Sequence, residues 1–146
     1  ISGSTSTGMF LSPSAGNGIY TAAGIITYGI VAGTSDAGYS FEDYKLTTPI
    51  THGNGAGQMA YSATINGGFV WTTVSNPSDT GTATIRRLLN NNSGSSINVN
   101  EIGLIYNIQG SGNNLVARDV IGGGGDMVSD GAQYTITYTI VITLPA

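Results

Sequence analysis

The chain has 146 residues and a mass of 14.9 kDa, which fits a single domain, and only 8% of its residues are charged. Its net charge of −4 and its four basic residues argue against a nucleic-acid partner, since phosphate binding needs clustered Lys and Arg. The absence of cysteine excludes disulfides, thiol chemistry and cysteine-ligated zinc, and the longest apolar run, 136–144, is too short to span a membrane. Solubility must come from Ser, Thr, Asn and Gly, a composition that suits packing against copies of the same chain.

The first 18 residues are predicted to form a flexible N-terminal arm. They are rich in Ser, Thr and Gly and contain one apolar island, Met9-Phe10-Leu11, ahead of Pro13. Two destinations are open to this island, the core of its own domain or a neighbouring subunit. Met9, Phe10 and Leu11 are therefore candidate assembly residues. Residues 19–146 are predicted to form the one folded domain.

The first half of this domain reads as strands and turns. Residues 25–31 are β-branched and aromatic between glycines, which indicates a mostly buried strand. Residues 41–46 suit either a short helical turn or an edge strand. Residues 58–65 alternate apolar and polar side chains, as a strand with one buried face does. Asn66-Gly67 predicts a tight hairpin turn, with 69–74 as the return strand.

The second half predicts longer strands. They cover residues 80–89, 97–106, 115–121 and 132–144. The alternation shifts phase near Gly103, which indicates a β-bulge. Residues 122–125 are four glycines and predict a flexible loop. The last strand has the most regular pattern, with Tyr134, Ile136 and Tyr138 on one face and threonines on the other.

The predicted fold class is all-β. No window shows helical periodicity, and seven or eight strands separated by short turns favour an antiparallel two-sheet sandwich. Immunoglobulin-like and jelly-roll topologies both remain open.

The polar residues predict neither catalysis nor a cofactor. His52 is the only histidine and lies in a loop, so no His–His metal pair is available, and no serine lies in a Gly-x-Ser-x-Gly turn. The acids nearest to a calcium-binding set lack the spacing of a known calcium loop, so solvated loop acids are favoured. That set comprises Asp36, Glu42, Asp43, Asp126 and Asp130.

Three further patterns have weaker functional interpretations. Trp71, with Tyr61 and Phe69 nearby, could form a sugar-stacking platform, although a strand Trp more often belongs to the core. The four glycines at 122–125 lack the Gly-Lys-Ser/Thr continuation of a phosphate loop. Asn91-Asn92-Ser93 matches the N-glycosylation pattern, which is frequent by chance.

A series of short blocks carries a family resemblance. The blocks are Thr84-Ile85-Arg86-Arg87, Asn91-Asn92-Ser93-Gly94, Ile97-Asn98-Val99-Asn100-Glu101-Ile102-Gly103-Leu104, Leu115-Val116-Ala117-Arg118-Asp119-Val120 and residues 131–142. From about Ile30 onward the chain resembles a group of bacteriophage structural proteins. The resemblance implies a virion component, such as a capsid decoration protein or a tail or fibre module, and it carries over no catalytic residues.

Within these blocks, Glu101 and Arg118 are predicted to pair across neighbouring strands and to fix their register. The leading functional hypothesis is a virion structural protein that binds copies of itself and other coat proteins, with no membrane partner. One alternative is an extracellular or cell-surface filament or adhesin subunit that assembles by strand exchange. The other is a carbohydrate-binding module.

Overall fold

A computed structural model describes residues 18–38, 40, 43–72, 80–108 and 112–143, with the backbone alone for 66–72. These residues form strands and connecting segments, and no helix lies among them. In chain order the strands are β1 (Gly29–Gly33), β2 (Ala60–Tyr61), β3 (Ile65–Thr72), β4 (Thr80–Asn90), β5 (Ile97–Val99), β6 (Glu101–Ile108), β7 (Gly112–Val120), β8 (Asp126–Val128) and β9 (Gln133–Thr143). The all-β prediction is confirmed.

The strands form three antiparallel sheets. The first sheet has the order β1-β6-β7, and β5 pairs with β8 in a small sheet of two strands. The second sheet is built around β4, which pairs with β9 along its whole length from Thr80↔Thr143 to Asn90↔Gln133. Because β9 occupies one side of β4, β2 and β3 must follow each other along the other side.

Strict alternation explains why β4 and β9 are the two longest strands. Every second residue of β4 is buried, from Gly81 to Leu89, and the residues between them are partly or fully exposed. In β9, Ile136 is buried and Tyr134, Tyr138 and Ile140 are partly buried, whereas the intervening threonines are exposed. The two faces predicted for the last strand are therefore confirmed as far as Ile140, whereas Ile142, two residues further on, is 46% exposed.

The main core draws on all three sheets. Among the described residues, 15 buried side chains belong to it, and they include Ile30 and Leu104 of the first sheet, Ile85 and Ile136 of the second, and Val128 of the small sheet.

A second, smaller cluster lies on the other face of the first sheet. It consists of Val31, Leu46 and Ile105, with Tyr28 and Leu115 packed against it. Successive residues of a strand point to opposite faces, so Ile30 enters the main core while Val31 enters this cluster. The face of the first sheet that carries Val31 and Ile105 is called the outer face below.

The predicted Asn66-Gly67 hairpin is wrong. The chain continues through this dipeptide as β3, and the pairing shifts between Asn66↔Ile85 and Phe69↔Ala83. Three residue steps of β3 thus match two of β4, which is a β-bulge with one extra residue. The preference of Asn-Gly for a tight turn is overridden here, because β4 provides backbone hydrogen-bond partners on both sides of the dipeptide.

Other boundaries also differ from the predictions. The strand expected at 58–65 is reduced to β2, and the strand expected at 97–106 is divided at Asn100 into β5 and β6. The irregularity expected near Gly103 lies one step later, between Leu104 and Ile105. Residues 43–46 form neither helix nor strand.

Candidate functional site

Strand β9 has a free edge among the described residues. β9 pairs with β4 on one side, and no described residue pairs with its other side. Its 11 residues contain no charged side chain and no proline. Charged residues, prolines and bulges are the devices that normally keep a sheet edge from pairing with another chain. By this measure β9 is unprotected.

The edges of β1, β7 and β3 are covered, charged or interrupted. Backbone bonds from Ile50 N to Ala32 O (2.9 Å) and from Thr34 N to Thr48 O (2.9 Å) cover the outer edge of β1. The edge of β7 includes Arg118 and Asp119, and β3 contains the bulge. None of these edges offers a long, uncharged and regular strand.

Two tyrosines fasten the inward face of β9 to the rest of the fold. The Tyr138 hydroxyl donates to Asp119 Oδ2 at 3.0 Å and also lies 3.4 Å from the carbonyl of Ile102 in the first sheet. The Tyr134 hydroxyl donates to Asp126 Oδ2 at 2.6 Å. Burial, together with the neighbouring carboxylate, raises the pKa of each tyrosine. β9 is thus held on its inner face while its outer edge stays open.

Glu101 and Arg118, the predicted register pair, are in direct contact. Arg118 Nε donates to Glu101 Oε2 at 2.9 Å, and both side chains are almost fully buried, 1% and 0% exposed. Gly103 lies opposite Arg118 and Val120 opposite Glu101, so the pair is diagonal across β6 and β7. Whether the contact fixes the register is a prediction that substitutions must test.

The pair also fastens a loop that the sequence did not connect to it. Arg118 Nη1 contacts Asp43 Oδ2 at 3.0 Å, and Nη2 donates to the carbonyl of Ala37 at 2.9 Å. Glu101 Oε1 accepts the backbone N–H of Thr48 at 3.0 Å. A buried ion pair is tolerated when its remaining hydrogen-bonding groups are satisfied, as they are here. The first half of the loop between β1 and β2 is therefore anchored at Ala37, Asp43 and Thr48.

Two glycines make room for this arrangement. A Cβ at Gly33 would overlap the carboxylate of Glu101, and a Cβ at Gly103 would come within 2.8 Å of Leu46 Cδ2. Gly33 pairs with Glu101, and Gly103 pairs with Val31 and Arg118. The missing side chains let the carboxylate and Leu46 pack directly on the backbone.

Arg87 is a second buried cation, and it has no carboxylate partner among the described residues. Its guanidinium donates to three carbonyls at short distance: Ser62 (2.9 Å), Ile30 (2.8 Å) and Ile25 (2.6 Å). Its Cζ lies 4.8 Å from the centre of the Tyr61 ring. Burial lowers the pKa of Arg87 to about 10, and burial raises the pKa of Tyr61 to about 12. The guanidinium ties the second sheet to β1 and to residues 22–25.

A cleft of about 380 Å³ opens on the outer face of the first sheet. Its apolar lining includes Val31, Leu46 and Ile105, the members of the smaller cluster. One wall is formed by residues 44–47, which lie between the two anchored points Asp43 and Thr48. The exposed Tyr44 is at this wall, with the Lys45 ammonium 5.4 Å from the centre of its ring.

Three other candidate residues, His52, Asp130 and Asn91, have structural partners. His52 Nδ1 accepts the backbone N–H of Tyr61 at 3.1 Å. Asp130 accepts the backbone N–H of Gly94 at 2.8 Å. Asn91, the glycosylation candidate, is fully buried, and its amide nitrogen donates to the carbonyls of Ser95 and Val128, both at 2.8 Å.

Two negative findings apply to the described ranges alone. No three His, Asp or Glu side chains there come close enough together to hold a metal ion. No helix in those ranges is long and apolar enough to cross a membrane.

Some candidates lie outside the described residues. They are Met9, Phe10, Leu11, Glu42 and the side chains of Phe69 and Trp71. The backbone of Trp71 belongs to β3, opposite Gly81. Gly18, assigned by the prediction to the arm, already exchanges backbone hydrogen bonds with Asn107.

Sequence reasoning missed the cleft and the role of Asp43. The contact between Asp43 and Arg118 joins residues 75 positions apart, and no local sequence pattern predicts it. For Arg87 a signal did exist, because the alternation of β4 places it on the same face as Ala83 and Ile85.

Comparisons of the chain with protein-family models, with curated proteins and with solved structures returned no match.

Proposed function

We propose that this protein is a virion structural subunit that assembles with copies of itself and with other coat proteins. One observation carries the proposal: β9 presents an 11-residue, uncharged strand edge with no described pairing partner. The bacteriophage resemblance supports placing the subunit on a virus particle. His52, Asp119 and Asp126 each accept a hydrogen bond from another part of the fold. These structural roles favour a non-enzymatic function.

We also propose that the first and second sheets face each other as a two-sheet sandwich. The main core supports this arrangement, because residues of both sheets contribute to one buried cluster. The contact of the Tyr138 hydroxyl with the carbonyl of Ile102 supports it too, since it joins β9 of the second sheet to β6 of the first. In such a sandwich the free edge of β9 lies at a side of the molecule that a second copy can approach.

Antiparallel pairing of β9 with β9 of a second copy would form a continuous eight-stranded sheet, four strands from each copy. An antiparallel pair over 11 residues makes about ten backbone hydrogen bonds, each contributing about 1 kcal/mol net. Self-pairing places two identical strands beside each other, so charges on β9 of one copy would face charges of the same sign on β9 of the other. The lack of charge on β9 removes this repulsion.

The test introduces like charges at the edge. In Thr135→Lys/Thr139→Lys two exposed threonines of β9 become cationic, and pairing about an axis near residue 137 would bring the lysines of both copies opposite each other. The control, Thr80→Lys/Thr82→Lys, adds the same charge to the same sheet on β4, which already has partners on both sides. We expect sedimentation to show concentration-dependent association for the parent chain and the control and its loss for the edge variant. Equal association of all three chains would refute the assembly edge.

Electron microscopy tests the biological setting. Particles from a lysate of infected or expressing cells are purified, and their protein content is followed with an antibody against this chain. We expect the chain on regular capsids or tails. Polymerised fibres composed of this chain would instead support the filament subunit, and a chain found on neither assembly would refute a structural role on the virion.

A further inference from the structure

The cleft on the outer face of the first sheet is large and apolar enough to hold several side chains. Its volume of about 380 Å³ corresponds to roughly a dozen waters at about 30 Å³ each. Apolar residues Val31, Leu46 and Ile105 line it, and contacts of Asp43 and Thr48 hold the wall at 44–47 in place. A preformed apolar cleft of this size favours an apolar occupant.

The described chain begins next to this cleft. Gly18 N donates to the carbonyl of Asn107 at 3.1 Å, and Asn107 N donates to the carbonyl of Gly18 at 2.9 Å. On the other side of β6, Asn107 pairs with Asn113, which lines the cleft. Two inter-strand spacings of about 4.8 Å thus separate Gly18 from the lining residue Asn113, about 10 Å in all.

The next residues run along the same rim. A Cβ at Gly29 would come within 2.6 Å of Thr21 Cγ2 and 3.0 Å of the carbonyl of Ile19. Residues 19–21 therefore pass beside the first residue of β1. Ile26 and Thr27, just before β1, line the cleft. Residues 18–21 and 26–27 thus lie along one side of the cleft.

We propose that the apolar island Met9-Phe10-Leu11 of the same chain occupies this cleft. Leu11 precedes Gly18 by seven positions, which span up to about 23 Å when extended, more than twice the separation from Gly18 to Asn113. The first 18 residues include no charged side chain, so the arm buries no charge of its own on docking, and Lys45 is the one charged residue among those that line the cleft. The island is also their longest apolar run. The short tether gives the segment a high effective concentration at the cleft.

This assignment is independent of the proposed assembly through β9, because it concerns how one chain covers its own surface. It places Phe10 as the main apolar anchor, since a phenylalanine ring buries the largest area of the three side chains. Tyr44 at the wall offers an aromatic neighbour, and Met9 adapts to the remaining space.

The natural absence of cysteine permits a direct test in the full chain. In Ser12→Cys/Thr47→Cys one cysteine follows the intact island and the other replaces an exposed residue that lines the cleft. In the control, Ser12→Cys/Ser129→Cys, the second cysteine replaces an exposed residue beside the small sheet, where Val128 pairs with Ile97. Disulfide formation under mild oxidation is followed by mass spectrometry and non-reducing gels.

We expect the cleft pair to close within one chain at least about tenfold faster than the control pair. Phe10→Ser in the cleft-pair chain should slow closure about tenfold, because about 1.4 kcal/mol of lost apolar burial corresponds to that factor. A mixture of the two single-cysteine chains, Ser12→Cys and Thr47→Cys, should form few mixed dimers. Equal closure rates for cleft and control pairs, no effect of Phe10→Ser, or cross-linking only between chains in the mixture would each overturn the proposal. The last outcome would place a second copy's arm in the cleft.

Discussion

Replacing Arg87 by methionine should remove much of the stability of this fold. The guanidinium satisfies three carbonyls at 2.6 to 2.9 Å and is fully buried. Hydrogen bonds that involve a charged donor contribute about 1.5–3 kcal/mol each, and methionine replaces none of them. Arg87→Met also avoids the free-energy cost of burying a cation, and the methionine side chain fills part of the space left by the arginine. We expect a net loss of about 4 kcal/mol, a large share of the 5–15 kcal/mol typical of a domain.

Urea denaturation followed by circular dichroism measures this loss. With a slope of about 2 kcal/mol per molar urea, the midpoint should fall by about 2 M without a change in slope. The matched control is Arg86→Met, because Arg86 is the preceding residue of β4, has the same charge and is exposed on the opposite face. Its midpoint should move by less than about 0.3 M.

The variant Arg87→Lys distinguishes the contribution of the positive charge to stability from that of the guanidinium geometry. Arg87→Lys keeps a cation but loses the planar fork that reaches several carbonyls at once, so we expect an intermediate loss. This variant also provides the measurement if Arg87→Met does not fold. If Arg87→Met and Arg87→Lys both stay within about 1 kcal/mol of Arg86→Met, the carbonyl contacts add no net stability and the reasoning fails.

Two further predictions concern other buried groups. Arg118→Gln should lower the free energy of unfolding by about 3–5 kcal/mol, more than Glu101→Gln does, because it leaves a fully buried carboxylate unpaired. If the double variant loses as much stability as the two single variants together, the pair is not coupled. Alkaline pH should also destabilise the fold, because burial raises the pKa of Tyr61, Tyr134 and Tyr138. Unfolded tyrosines ionise near pH 10, so this stability is complete below pH 10 and falls above it, by about 2 kcal/mol at pH 12 for Tyr61 alone. The lowered pKa of Arg87 has the opposite effect, because a neutral Arg87 no longer incurs the free-energy cost of burying a cation. This single group acts against the three tyrosines, so the net effect of alkaline pH is destabilising. A urea midpoint that does not fall between pH 9 and pH 11 would contradict this prediction.

Local alternation was sufficient to predict the strands of the second sheet. The bounds of β4 and β9 agree with the prediction to within one residue, because more and less buried side chains alternate along all of β4 and along β9 as far as Val141. β8 was missed, since three residues after a run of glycines have no measurable period. The Asn66-Gly67 turn was predicted from a local rule, and pairing with β4 overrides that rule.

The site was predictable only where its parts follow the strand pattern. Glu101 and Arg118 were proposed as partners on neighbouring strands, and their side chains do meet. Asp43 and the cleft depend on a loop folding back over the first sheet, which only the three-dimensional arrangement of distant segments determines.

The pairing of β4 with β9 has a consequence for the order in which the chain folds. The paired residues are separated by 43 positions at Asn90↔Gln133 and by 63 at Thr80↔Thr143. Such non-local pairing forms slowly, because the intervening chain must be ordered before the contacts stabilise it. During synthesis β4 emerges well before β9, so one side of β4 stays open until the ribosome has completed residue 143. Within that interval β9 of another nascent or newly released chain can take the vacant place. Swapped dimers are therefore the misfolded product to expect when this protein is produced rapidly at high concentration.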